Sequence, residues 1–558
     1  MADYVWHQHY GDANPKEINP DSYPSIVTAF EESCNKFGDK VAFENMGVPM
    51  TFNELKKHSE NFAAWIQNNT GLVPGDKIAI QMPNLLQYPI CIYGSLLAGM
   101  VVVNVNPLYT SREMEHQFND SGAKAVVIVA NFCNELEECL SKTGLKHVIV
   151  TRIPDLFPQP KQFIVNLVLN HVKKMVPKFN LPNTIDFRDV VKDRGVKPKP
   201  VELKNTDTAF LQYTGGTTGV SKGAVLTHRN VIANMEQMRS LMGDTIKEGE
   251  EIIITPLPMY HIFSLTVNCL AFICMGGKNV LITNPRDMPA FVKELKKHRW
   301  TVLTGVNTLF NGLLNNEDFK KLDFSSVKLV IGGAMAIQKV VAEKWRDVTG
   351  NLLVEGYGLT ESSPVASANP IDGRARIGTI GIPVASTNMK LCDENGVEVA
   401  VGERGEVNIK GPQVMQGYYN RPEETANVLK DGWLRTGDVA VMAEDGFFTI
   451  VDRIKDMIIV SGFNVYPNEV EDVIASHSKV LEVAAIGVAD AKSSEAVKVF
   501  IVKKDPSLTE QEVRDYCNEN MTGYKKPKHI VFRDDLPKTN VGKILRRALR
   551  EEEAAGNA

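Results

Sequence analysis

Tyr213, Thr214, Gly215, Gly216, Thr217, Thr218, Gly219, Val220, Ser221, Lys222 and Gly223 follow one another without interruption. Glycines let the backbone turn its N–H groups toward a ligand, hydroxyls add donors, and Lys222 adds a mobile positive charge. That combination suits a polyphosphate. A glycine-rich hairpin turn has the same composition. A Walker loop is excluded, because Gly223 rather than Ser or Thr follows Lys222. Other stretches also carry reactive side chains, most of them with glycine or proline close by. They are residues 258–263 with His261, 356–361 with Tyr357 and Glu361, 433–438 with Asp438, 452–456 with Arg453 and Lys455, and 537–544 with Lys543.

These groups need a frame. Apolar runs such as Lys77–Ile80, Val101–Val103, Ala125–Val129, Ala209–Leu211, Ile252–Ile254 and Leu329–Ile331 are predicted strands, separated by helical patterns such as Ser25–Lys36. Short β-rich runs alternating with helices predict βα units around largely parallel sheets. Leu329–Ile331 runs into Gly332 and Gly333, and Leu352–Val354 runs into Glu355, Gly356, Tyr357 and Gly358. Ligands collect at such strand ends, so a glycine turn is expected at each. From about Ile371 short alternating strands predict a small β-rich subdomain. Beyond the charged break at 452–456, an α+β unit of about a hundred residues predicts a second domain. The expected fold is therefore α/β: an N-terminal domain over 1–454 and a small C-terminal domain over 455–558. The tail from Glu551 is expected to fray.

The 558 residues are 43% hydrophobic and 23% charged, with a net charge of −5. That balance implies sizeable cores and no general nucleic-acid surface. The eight cysteines include no CxxC pair, which disfavours a zinc site and fits reduced thiols in a cytoplasm. The opening Met1, Ala2, Asp3, Tyr4 is not expected to be a secretory signal. Leu85–Val103 is uncharged, but Pro89, Gly94 and Gly99 make it a buried helix leading into a buried strand rather than a span.

The six stretches, in this order and spacing, closely resemble the adenylate-forming superfamily of acyl-CoA synthetases, luciferases and peptide-synthetase adenylation domains. Within it the nearest resemblance is to bacterial long-chain fatty acyl-CoA synthetases, and it extends to residues 82–89, 305–310 and 460–467. The resemblance implies an enzyme that turns a fatty acid and ATP into an acyl-adenylate and pyrophosphate, then passes the acyl group to CoA. Residues 213–223 would hold the β- and γ-phosphates, and Thr214 and Glu361 would bind Mg²⁺. Tyr357 would stack on adenine beside Gly332, Gly333 and Gly356, with Glu355, Gly358 and Thr360 in the same cradle. Asp438 would take the ribose hydroxyls through both carboxylate oxygens, with Arg453 near ribose and phosphate. Lys543 would reach the α-phosphate and the substrate carboxylate, and His261 would line the acyl pocket. Lys543, Glu361, Thr214 and His261 form the implied catalytic set. The C-terminal domain would pivot at Lys455, withdrawing Lys543 and bringing Gly462 and Phe463 to a pantetheine channel. Lys525, Lys526 and Lys528 are candidates for the CoA phosphates.

Ile252 to Gly277 contains no Asp, Glu, Lys or Arg, which favours an uncharged acid tail, with Val306, Leu309 and Phe310 expected nearby. A medium-chain or aryl acid ligase, a non-catalytic acyl-binding module and an enzyme loading a carrier protein are the competing readings. A homodimer is open. Residues 161–179 carry Lys161, Lys173, Lys174 and Lys178 and no acidic residue. On a helical wheel they form a basic amphipathic helix that Phe163 and Leu167 interrupt. Such a helix suits peripheral attachment to the inner face of the cytoplasmic membrane.

Overall fold

The computed structural model describes residues 4–10, 15–214, 221–490, 492–539 and 541–556. The predicted βα alternation resolves into two large mixed sheets. One has seven strands in the order Ile185–Asp186, His147–Thr151, Ala123–Val129, Lys77–Gln81, Val101–Asn104, Thr208–Thr214 and Lys222–Thr227. All its pairings are parallel except the last. The other has nine strands, and its parallel centre runs through Lys278–Leu281, Ile252–Thr255, Val302–Gly305, Leu329–Gly332 and Leu353–Gly358. These strands are apolar on both faces because helices cover both. Sequence-encoded caps start the helices: Ser25 accepts from the Thr28 amide ahead of Ile26–Phe37, and Thr51 and Glu54 form a capping box ahead of Phe52–Asn69.

Gln87–Leu97 is a buried helix followed by the buried strand Val101–Asn104. Among the described residues no helix is long and apolar enough to cross a membrane. A five-stranded antiparallel sheet holds Asn388–Cys392, Arg404–Lys410, Leu429–Lys430, Trp433–Met442 and Phe448–Arg453. The small C-terminal domain has its own sheet, centred on Val480–Asp490 and Ser494–Lys503, and its own cores.

Three expectations change. Residues 355–358 are strand rather than turn: Gly356 pairs with Ala368 and Tyr357 with Ser367. Gly358 makes this fit possible, since a Cβ there would lie 1.9 Å from the Pro364 carbonyl oxygen. The tail does not fray at Glu551, because Arg546–Gly556 is one helix anchored by buried Leu549. The basic helix stops at Val172, not Phe179: Lys161–Leu167 continues as a π segment, Val168–Val172, and Lys174 adopts φ 49°. Pro177 cannot continue a helix, and Val176 and Phe179 turn inward to pack on a core cluster. Val165 and Leu169 also pack inward, whereas Phe163, Ile164, Leu167, Val172 and Met175 are exposed.

All eight cysteines are unpaired, and all but Cys274 are buried. Burial pushes every one of these thiols above its ordinary range.

Candidate active site

A cavity of about 960 Å³ lies between the two domains, and residues from most of the singled-out stretches line it. On one side, Thr208–Thr214 and Lys222–Thr227 pair antiparallel, with Thr214 opposite Lys222. The loop joining them holds Gly215, Gly216, Thr217, Thr218 and Gly219, which lie outside the described residues. Tyr213 and Thr214 line the cavity, and the Tyr213 hydroxyl donates to Asp120 Oδ2 at 2.7 Å. Lys222 Nζ lies 5.0 Å from the centre of the Tyr418 ring, and the Tyr418 hydroxyl donates to Glu361 Oε1 at 2.7 Å.

Tyr418 is held there by the backbone. The Val225 amide donates to the Gly417 carbonyl at 2.9 Å, and the Tyr419 amide to Gly223 at 2.8 Å. Tyr418 thus links the lysine after the glycine loop to the carboxylate on the turn Thr360–Ser362. Sequence reasoning missed it. The available signal was the aromatic doublet after Gly417. A hard divalent cation takes oxygen donors. The Thr214 hydroxyl and the Glu361 carboxylate line the same cavity and are donors of that kind.

Strand register builds the next cluster. Trp433–Met442 pairs antiparallel with Phe448–Arg453 so that Asp438 faces Arg453. Arg453 Nε is 3.0 Å from Asp438 Oδ1, and the Tyr357 hydroxyl donates to Oδ2 at 2.7 Å. Arg453 pairs with Asp438 rather than with its sequence neighbours Asp452 and Asp456. Gly333, Glu355, Gly356, Gly358 and Thr360 line the adjoining wall. Glu355 is buried, and the Ile337 amide donates to its Oε1 at 3.3 Å. Burial pushes its carboxyl up to about 8, so it is neutral at neutral pH.

Lys543 enters from the C-terminal domain on a turn closed by Thr539. The Thr539 amide donates to the Lys543 carbonyl at 2.7 Å, and the Lys543 amide to Thr539 Oγ1 at 3.1 Å. Loss of solvent, then the nearby Arg453 charge, pulls the Lys543 amine down to about 7. Behind it Arg546 crosses the domain seam: Nη2 lies 2.7 Å from Glu471 Oε2 and Nη1 3.3 Å from Asp452 Oδ1. His261 lines the cavity too. Burial, with Lys543 second, pulls it down to about 4, so the imidazole is neutral.

Lys455 also lines the cavity, on the 3₁₀ turn Ile454–Asp456. Desolvation and then Arg453 pull it down to about 8. Gly462 and Phe463 lie off the cavity in this arrangement, with Phe463 exposed and stacked on Tyr524 at 4.8 Å. The apolar wall differs from expectation. Val306, Leu309 and Phe310 are core residues, with Phe310 packed 5.0 Å from Trp345. Met238, Leu241 and Met242 take that place, joined by Val267, Ile331 and Val365. The first three come from the helix His228–Met242, whose apolar face looks like ordinary core in sequence.

The cavity thus joins converging cations, a carboxylate–arginine–tyrosine cluster, hard oxygen donors and an apolar wall. The chain is 56% identical over 552 residues to a long-chain-fatty-acid--CoA ligase of Salmonella typhimurium, covering 98% of each chain. It is 52% identical to the Haemophilus influenzae protein of the same name, covering 99% of each. Among solved structures, ATP-bound MatB from Rhodopseudomonas palustris superposes with TM-score 0.81 and 27% identity, over 94% of this chain and 98% of that one. The anthranilate CoA ligase AuaEII in complex with anthranoyl-AMP shares the fold, with TM-score 0.86 and 23% identity over 97% of this chain and 100% of that one. The signature described as AMP-binding enzyme matches residues 30–419 and that of the AMP-binding enzyme C-terminal domain matches 469–543, so the chain belongs to the AMP-binding enzyme family.

Proposed function

We propose that this protein is an AMP-forming ligase joining long-chain fatty acids to CoA. A fatty-acid carboxylate oxygen attacks the α-phosphorus of ATP, and pyrophosphate leaves. The CoA thiolate then attacks the acyl carbonyl carbon of the adenylate, and AMP leaves. The observation that carries this reading is one cavity whose lining joins Lys543, Arg453, Asp438 and Glu361 with an apolar wall. High identity to long-chain-fatty-acid--CoA ligases over nearly the whole chain supports it.

Negative charge grows on the α-phosphate oxygens during the first step, and preformed cations aimed there lower the barrier. Lys543 supplies that charge and also meets the incoming carboxylate. Tyr357 stacks on adenine, and Asp438 takes the ribose. Thr214 and Glu361 would hold Mg²⁺, which would supply charge shielding for the phosphates. His261, neutral, lines the path to the reacting carboxylate. The apolar wall takes the acyl chain, at about 0.8 kcal/mol per buried CH₂.

The second step needs access from another side. We infer that residues 1–454 and 455–558 act as two lobes that turn about Lys455. Turning withdraws Lys543 and brings Gly462 and Phe463 to the thiol channel, with Lys525, Lys526 and Lys528 near the CoA phosphates. Phe163, Ile164 and Leu167 are exposed, as are Lys173, Lys174 and Lys178, a composition that suits an anionic bilayer. They support attachment to the inner face of the cytoplasmic membrane.

The deciding experiment measures thioester formation across saturated acids of increasing length. Efficiency should rise by about fourfold per CH₂, following the transfer value above, until the cavity is full. A preference for benzoate or short acids would reject the chain-length assignment. Transfer to a carrier protein without CoA-dependent AMP release would reject the thiol.

A further inference from the structure

We propose that Thr308 is a positioning residue for Lys543: the first turn of the helix Asn307–Leu314 is the seat on which the lysine-bearing turn docks. The inference rests on reading Lys543 as the lysine of the adenylation step. Thr308 Oγ1 donates to the Gly542 carbonyl at 3.0 Å, one residue before Lys543 and across the domain boundary. Gly542 has φ 85°, and a Cβ there would stand 2.6 Å from Thr308 Oγ1 and 3.3 Å from Val306 Cγ2. Backbone conformation and close approach both require glycine at this position.

Described residues of the docked turn are bonded to one another. Besides the Thr539 contacts to Lys543, the Gly542 amide donates to the Thr539 carbonyl at 2.9 Å. Fixing Gly542 fixes the root of the next side chain. The seat is tied down by its own hydrogen bonds. Asn307 Nδ2 donates to Gln338 Oε1 at 3.1 Å, and the Gln338 amide returns a bond to Asn307 Oδ1 at 3.0 Å. One turn further along the helix, Asn311 Nδ2 donates to the Leu481 carbonyl at 2.9 Å, a second bond across the seam. Thr308 is not among the described residues that line the cavity. Its route to Lys543 is the bond to Gly542.

Thr308 therefore serves only the step in which Lys543 is docked. The test uses the full-length protein with Thr308→Val, Thr308→Ser and, in parallel, Lys543→Ala. Adenylation is read by ATP–pyrophosphate exchange, and thioester formation by CoA transfer from synthetic hexadecanoyl-adenylate. Thr308→Val should lower the adenylation kcat by about tenfold, the scale of one hydrogen bond. KM for ATP and acid, thioester transfer and Tm should stay near wild type. Thr308→Ser, which keeps the hydroxyl, should restore adenylation. Unchanged adenylation in Thr308→Val, or equal loss in both steps, would overturn the seat. Full adenylation by Lys543→Ala would instead overturn the reading of the lysine, and the seat with it.

Discussion

The Tyr357 hydroxyl donates to Asp438 Oδ2 at 2.7 Å, while Arg453 stands 3.0 Å from the other oxygen. Both oxygens assigned to the ribose therefore already have donors. A ribose hydroxyl gains Asp438 only by displacing or sharing them. Asp438→Ala should raise KM for ATP by roughly tenfold to a hundredfold, the range for losing a hydrogen bond to a charged group. Tyr357→Phe keeps the stacking ring and should change KM by less than about threefold on the same scale. A Phe variant as damaged as Asp438→Ala would show that the phenol, not the carboxylate, carries nucleotide binding.

Lys543→Ala should slow adenylation by about a hundredfold or more, as for loss of a transition-state donor. Transfer from pre-made acyl-adenylate should be nearly intact. The pH profile supplies an independent check. An amine pulled down to about 7 is charged only below that value, and the charged form is the useful one. For adenylation, kcat/KM for ATP should fall as pH rises through about 7. Bound phosphate should move the same limb of kcat upward. A Lys543→Arg variant retaining that limb would assign it to another group.

Lys455→Pro addresses the pivot. Proline fixes φ near −65° and should lock the turn Ile454–Asp456. Adenylation should persist while CoA-dependent turnover collapses. Normal turnover in this variant would place the pivot elsewhere.

Glu355→Gln should preserve activity at neutral pH, because burial already keeps the native carboxyl neutral and the amide has its shape. A carboxyl raised from 4.5 to about 8 costs the folded protein stability progressively as pH climbs between those values. The Gln variant should therefore gain in Tm over wild type across that window, and not below it. A constant difference at all pH values would mean that Glu355 is ionised.

Replacing Lys173, Lys174 and Lys178 with Glu should weaken binding to anionic liposomes on the order of a hundredfold, at about 1 kcal/mol per lysine. Activity on detergent-dispersed acid should remain. Liposome binding that does not change would remove this surface from the membrane proposal.

The frame was legible because periodicity reports burial directly. The central strands of both large sheets, the buried helix Gln87–Leu97 and the separate C-terminal unit follow from the predicted apolar runs, whereas outlying strands such as Val41–Asn45 and His147–Thr151 do not. Lys543, Asp438 and Glu361 stood out by residue type beside glycine. What escaped notice depends on distant partners. The strand at 355–358 exists because Val365–Ala368 pairs with it. The helix at 161 ends early because Val176 and Phe179 find a core to enter. Tyr418 matters only because backbone pairing brings it between Lys222 and Glu361. The Met238–Leu241–Met242 wall faces a cavity that no local pattern reveals.

The sealed cysteines have a chemical consequence. An acyl-adenylate is an acylating agent for whichever thiolate meets it first, and thiolate, not thiol, is the nucleophile. Burial pushes every thiol of this chain toward its protonated form, and all but Cys274 lie within the packed interior. Burial and protonation both disfavour self-acylation. The thiolate arriving on the second substrate meets the acyl group ahead of thiols packed in the interior.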